Sequence, residues 1–313
     1  MKNLLRLEEE FDMEEMAISK ENLETVRENP LAIKDVFPQT DELKWLAIEL
    51  NAHAIQYIKK PTYEMQLEAV KYDGLVLEYI KNPTEQLMLE ALKQNGCAIE
   101  FIENPTEEMK LLAVKSSGMA LEYIKNPTEE MQILAVKSNG YALKYIKSPT
   151  FEMQLEAVKS NGYAIEFIEN PTYEMQLLAV KSNGLVLGDI DNPTEEMKLE
   201  AVKSTGSALE YIDNPTYEMQ LEAIKSNGYV IQYIKNPTEE MKFLAINQDG
   251  CNIRYIDNPT EEMKLLAVKQ NGWALEYINK PTEEMKLEAI KSNRLAIFHV
   301  NNPTEEMLRL AKR

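Results

Sequence analysis

The dipeptide Pro-Thr occurs at Pro61, Pro83, Pro105, Pro127, Pro149, Pro171, Pro193, Pro215, Pro237, Pro259, Pro281 and Pro303, and every step is 22 residues without insertion or deletion. A fixed period in the range of about 20 to 50 residues marks a chain built by stacking one small unit on the next. Each position is therefore read as a column through the copies. A column that stays constant belongs to the scaffold, and a column that varies on the outside is free to carry specificity.

Within one copy, Asn258 to Ile278, "NPTEEM" holds two overlapping helix starts. Asn258 as N-cap would put Pro259 in the first helical position and Glu261 in a capping box; Thr260 as N-cap is the competing register. Met263, Leu265, Ala267 and Val268 then form an apolar face, at helical spacing. The Ala column from Ala69 to Ala311 never varies, and the Met column from Met65 to Met307 is broken only by Leu87; both read as core. Asn271-Gly272 is expected to end the helix with glycine in the left-handed conformation. A second, shorter helix over "WALEYI" follows and stops at the next proline. Helices of roughly ten and seven residues are marginal alone, so the unit must bury its apolar faces against its neighbours. No strand signal is present. The expected fold is all-α: an α-solenoid of about thirteen 22-residue two-helix repeats with degenerate terminal caps.

Residues 1–38 read as an acidic N-terminal cap with one faint repeat. Residues 39–302 read as twelve tandem repeats, of which 39–60 is degenerate. Residues 303–313 read as a capping helix, with Arg309 and Lys312 in columns that are apolar elsewhere. No apolar run approaches the roughly 18 residues a membrane helix needs, and the opening "MKNLLRLEEEFDMEE" meets acids too early for a secretory segment. A cytoplasmic protein with no membrane partner is expected.

The core "LEAVKSNGYAIEFI" (residues 155–168) resembles an uncharacterised family of short helical repeats in bacterial and viral proteins whose units share L-x-A-V-K-x-N-G-x-A-L-x-Y. The chain is more loosely similar to HEAT-like and leucine-rich-repeat-variant arrays. The resemblance implies an α-solenoid used for binding, and it brings no catalytic residues.

The net charge of −18 speaks against direct binding of nucleic acid, which takes clustered Lys and Arg, and favours a protein partner with a basic surface. Part of the acidity is helix construction, since acids in a first turn complement the macrodipole. Cys97 and Cys251 lie seven periods apart, and His53 and His299 sit near opposite ends of the array. No Cys-His or His-His constellation follows, so neither a metal nor a cofactor is expected. Carboxylates repeated in identical settings lack the two unlike environments that an acid/base pair requires. We expect no enzyme.

Four breaks in the repeat remain as candidate contacts. The column after glycine, including Tyr141, Tyr163, Tyr229 and Trp273, is placed on the same side of the second helix as the aromatic column that includes Tyr145, Tyr233 and Tyr277. "LGDIDN" puts Gly188 and Asp189 where an acid–aromatic pair usually stands, with Asp191 two residues on, and a dent that admits a partner's side chain is preferred over a cation site, whose spacing matches no complete loop signature. "NQDGCNIRYID" puts Arg254 in an acid's place. The outer face carries Glu100 with Glu103 and Glu166 with Glu169, but Lys144 with Lys147. Aromatic anchors and patterned charge fit a non-enzymatic scaffold that grips a protein along an extended surface, as a phage or bacterial inhibitor would. An acidic nucleic-acid mimic or a small-ligand sponge for nucleotides are the alternatives.

Overall fold

The computed structural model describes residues 20–312, and among these every regular element is a helix. They fall into two compact units divided after Ser160. Each unit is an α-solenoid segment in which a ten-residue α-helix alternates with a six-residue 3-10 helix. The second helix of the repeat is thus tighter and shorter than the sequence pattern predicts. Six residues held between Asn and Pro give too little length for i to i−4 bonds to propagate, and the 3-10 form closes each turn in three residues.

The repeat around Glu261–Gln270 shows how the sequence achieves this. Thr260 is extended (φ −66°, ψ 162°) and its hydroxyl accepts from the Met263 N–H at 3.2 Å. The threonine register therefore wins. Asn258 does not cap; it sits in the preceding turn with φ 52°, in the left-handed region that asparagine tolerates better than most residues. Lys60 and Lys280 occupy the same turn with φ 52° and 55°, without asparagine's ease there.

At the far end, Asn271 is extended (φ −147°, ψ 111°) and serves two helices. Its N–H donates to Ala267 O at 2.9 Å, closing the α-helix. Its side-chain oxygen accepts from Trp273 N at 3.1 Å, opening the 3-10 helix Gly272–Tyr277. An Asx side chain capping the N–H two residues on is a local substitute for backbone pairing.

The glycine that follows is not left-handed: among the described residues no glycine has positive φ. Its role is space. A Cβ on Gly250 would lie 2.1 Å from Ala267 O, and one on Gly96 would lie 2.0 Å from Ala113 O. Each glycine lets its 3-10 helix rest on the backbone of the following α-helix. Arg294 can replace it in the last copy because it is exposed and the following helix, Glu305–Lys312, is only eight residues long.

The core is continuous within each unit. Met263, Ala267, Val268 and Ala274 are fully buried, and Leu275 and Ile278 nearly so. Each large apolar side chain so placed contributes about 1.5–3 kcal/mol. On the outside, first-turn glutamates pair with the lysine three residues on, as in Glu107–Lys110, Glu195–Lys198 and Glu261–Lys264, each at 2.7 Å. These exposed pairs are worth a few tenths of a kcal/mol each, so much of the acidity on this side is helix building.

Two substitutions separate space from conformation. Gly250→Ala is expected to lower stability by about 1–3 kcal/mol, because backbone cannot yield as a side chain does. Lys280→Asn should raise it by about 0.5 kcal/mol through relief of the left-handed turn. Urea midpoints measured against the parent chain give both signs, and a neutral Gly250→Ala would refute the close-contact role.

Candidate partner-binding face on the short helices

Burial along Gly272–Tyr277 leaves Trp273, Glu276 and Tyr277 exposed while Gly272, Ala274 and Leu275 face inward. A 3-10 helix turns 120° per residue, so residues four apart leave it in different directions. The post-glycine and aromatic columns therefore do not share a side within one repeat, as an α-helix would have made them do. They meet between repeats instead. Tyr229 packs edge-on against Tyr255 with ring centroids 5.1 Å apart, Trp273 against His299 at 5.4 Å, and His53 against Tyr79 at 5.7 Å. Each pair joins a post-glycine residue to the aromatic column of the following copy, 26 positions on.

In the second unit this stagger gathers the densest cluster. Arg254 lies over the rings of Tyr255 at 4.5 Å, Tyr277 at 5.6 Å and Tyr229 at 6.0 Å. Three tyrosines from three successive repeats thus surround one guanidinium, which makes no ion pair with a carboxylate among the described residues. Such cation–π contacts are worth about 0.5–1 kcal/mol each when exposed. The Tyr255 hydroxyl first, the Gln232 amide second and the nearby Arg254 charge hold the Tyr229 phenol below its ordinary range, although Gln232 Nε2 itself is buried without a hydrogen-bond partner. Tyr233, Tyr229, Tyr277 and Trp273 remain 38–50% exposed.

In the first unit, Tyr141 and Tyr145 are half-buried. The Tyr145 hydroxyl donates to Glu122 at 2.7 Å, and Lys144 Nζ lies 4.7 Å above the Tyr145 ring. Glu100 and Glu103 are exposed and line an open cleft of about 490 Å³ with Tyr123 and Lys125. In the second unit, Glu166, Glu169, Asp189 and Asp191 are exposed and Tyr163 is half-buried. No group of three or more His, Cys, Asp or Glu converges to hold a metal ion among the described residues.

Several contributors escaped the sequence pattern. Tyr173 and Tyr217, at the first position of their helices, donate across to Glu196 and Glu240 of the next repeat, the latter at 2.6 Å. For Tyr63 the equivalent position in the next repeat is Gln86, and the Tyr63 hydroxyl has no hydrogen-bond partner. Asn252 stands buried in a column of Ala and Val, its amide donating to Ala245 O at 2.9 Å. The signal was present as a lone polar residue in an apolar column. Cys251, beside it, is raised to about 11 by burial first and by Asp249 second.

A family model described as "Domain of unknown function (DUF4116)" matches residues 62–105, two consecutive repeats. No curated protein and no solved structure matches the chain. Among the described residues no helix is long and apolar enough to cross a membrane.

Two titrations examine the cluster. The Tyr229 phenol is expected to ionise below the usual tyrosine range, and Tyr255→Phe should move it upward by removing the donor to its phenolate; ring-carbon NMR through the alkaline range reads both. Cys251 should alkylate slowly at pH 8, since the thiolate is the nucleophile, with a rate that climbs until pH about 11. Fast modification in the folded chain at pH 8, compared with the same chain in urea, would contradict that burial.

Proposed function

We propose that the chain is a non-enzymatic binding scaffold whose contact face is the outer side of the 3-10 helices. The observation that carries this reading is the cluster of half-exposed rings around Arg254. Tyr229, Tyr255 and Tyr277 come from three repeats, are aligned by the stacking itself, and leave aromatic surface in water. Tyr, Trp and Arg are the residues that most often anchor protein interfaces, and rings fixed by neighbouring layers lose little freedom on binding. The constant columns build the stack, and the variable columns lie on this face. That division fits a repeat protein that meets its partner through side chains the fold does not need.

The preferred partner is a protein with a basic surface, given a net charge of −18 and the exposed carboxylates at Glu166, Glu169, Asp189 and Asp191 beside the rings. A phage or bacterial inhibitor of a single target is the biological setting that the resemblance to short repeats supports, with action in the cytoplasm. The matched family model names no activity, so the reading rests on the face itself.

The test is affinity capture from cells that carry the gene, with the parent chain and a Tyr229→Ala, Tyr233→Ala, Trp273→Ala, Tyr277→Ala variant as paired baits. A stoichiometric protein held by the parent and lost about a hundredfold by the variant is expected, on the scale of several interface anchors. Recovery of the same protein by both baits, or of none by either, would sink the proposal.

A further inference from the structure

The residues that hold Arg254 define a template that recurs, incompletely, three periods earlier. Stepping back 66 residues converts Tyr229, Arg254, Tyr255 and Tyr277 into Tyr163, Gly188, Asp189 and Tyr211. Two of the three rings are retained. The third has become a carboxylate, and the arginine has been reduced to a hydrogen atom.

A Cβ added at Gly188 would come within 3.1–3.4 Å of the Tyr211 ring, so that ring rests directly on bare backbone, and it is itself 47% exposed. Tyr163 has lost the ring partner that Tyr229 finds in Tyr255, because Asp189 stands in that column. The short helices Gly162–Phe167 and Gly184–Asp189 are the least closely packed successive pair of their unit. Asp189 is exposed, and among the described residues no Lys, Arg or His lies within ion-pair distance of it. The Tyr211 phenol is held above its usual range by the adjacent Glu210 carboxylate first, with Tyr163 and Asp189 among the smaller contributors.

We propose that the Gly188 notch receives an arginine side chain of the protein partner, whose guanidinium takes the position that Arg254 fills from within the chain three repeats later. The fit follows from chemistry. Tyr163 and Tyr211 are the counterparts of the two rings that Arg254 meets at 5.6–6.0 Å, and guanidinium stacks on such faces while keeping its N–H edges free. Asp189 adds the counter-charge that the Arg254 site lacks, in the fork geometry carboxylate and guanidinium share. Glu166, Asp191 and Glu210 are exposed and add attraction over longer range. Lysine would satisfy the charge and lose the planar stacking.

This inference rests on the reading of the short-helix face as a protein-binding surface, and its probe is independent of any captured partner. The full chain is titrated with a short arginine–glycine peptide and with the same peptide carrying citrulline for arginine, followed through the ring signals of Tyr163 and Tyr211. Saturable shifts of both rings with the arginine peptide, and about tenfold weaker binding of the citrulline peptide, are expected. Gly188→Arg should fill the notch from within and abolish binding, and Asp189→Tyr should weaken it about tenfold. Both restore side chains that other repeats carry at these positions, so the fold is retained, as circular dichroism will show. Glu129→Gln with Glu130→Gln, at an exposed α-helix start in the other unit, should leave the affinity unchanged. Absence of binding, equal affinity for citrulline, or equal losses in the notch and control variants would each overturn the assignment. Failure here alongside successful partner capture would remove only the notch and leave the scaffold reading standing.

Discussion

The regular stacking in each unit, from Gly74 to Gly272, depends on one close approach, that of the glycine opening a 3-10 helix to the alanine carbonyl in the next α-helix; only the end copies, with Ala52 and Arg294 at this place, depart from it. The space between them admits no Cβ: one added at Gly74, Gly118 or Gly206 would come within 2.4–2.5 Å of that oxygen. With backbone resting on backbone, the layer spacing is fixed by atoms that cannot change rotamer. The alanine must be alanine for the same reason, since it is fully buried in every copy from Ala47 to Ala289. A contact that rigid makes each repeat a faithful copy of the last, because an altered spacing would propagate along the stack. The outer columns inherit their stagger from it. Tyr229 reaches Tyr255, and Trp273 reaches His299, only because the layers stand at that distance and in that register.

The period, the two-helix unit and the core columns were legible in the sequence, because burial at Met263, Ala267 and Val268 imposes a periodicity that nothing else explains. The glycine was legible as necessary and misread in cause. Asn-Gly at a helix end matches the signature of a left-handed C-cap, and a sequence records the missing side chain without recording whether conformation or space excludes it. The helix start had the same ambiguity in smaller form. Asn258 and Thr260 are both good caps, and what decides between them is the turn. Once Asn258 takes φ 52°, only Thr260 has the extended backbone that lets its hydroxyl reach Met263 N.

The candidate face was legible by column and not by contact. Tyr229, Trp273, Tyr277 and Arg254 were all marked by their variability, yet the pattern grouped them by α-helical periodicity within a repeat. The true grouping joins residues 26 apart, which depends on two quantities no single repeat encodes: the 120° turn of a 3-10 helix and the offset between layers. The same offset explains Tyr173 with Glu196 and Tyr217 with Glu240. It also explains the unpartnered hydroxyl of Tyr63, which points to where an acid stands in other copies and a glutamine stands in this one.

A stack of this kind separates its packed columns from its outer columns in energetic terms. The buried columns each carry kcal/mol-scale packing, so substitution there is felt along the stack. Positions such as 188, 232 and 254 lie outside those columns, so a change of residue there leaves the packed layers in place. Glycine, glutamine, arginine and glutamate can therefore succeed one another at one place in the repeat while the backbone beneath stays the same. Arg254 shows what the place holds when the chain supplies the cation itself. Gly188 shows two of the three rings kept, with that cation removed and a carboxylate in place of the third ring. Since the backbone beneath is the same, what occupies the space between the rings comes down to which side chain the outer column carries.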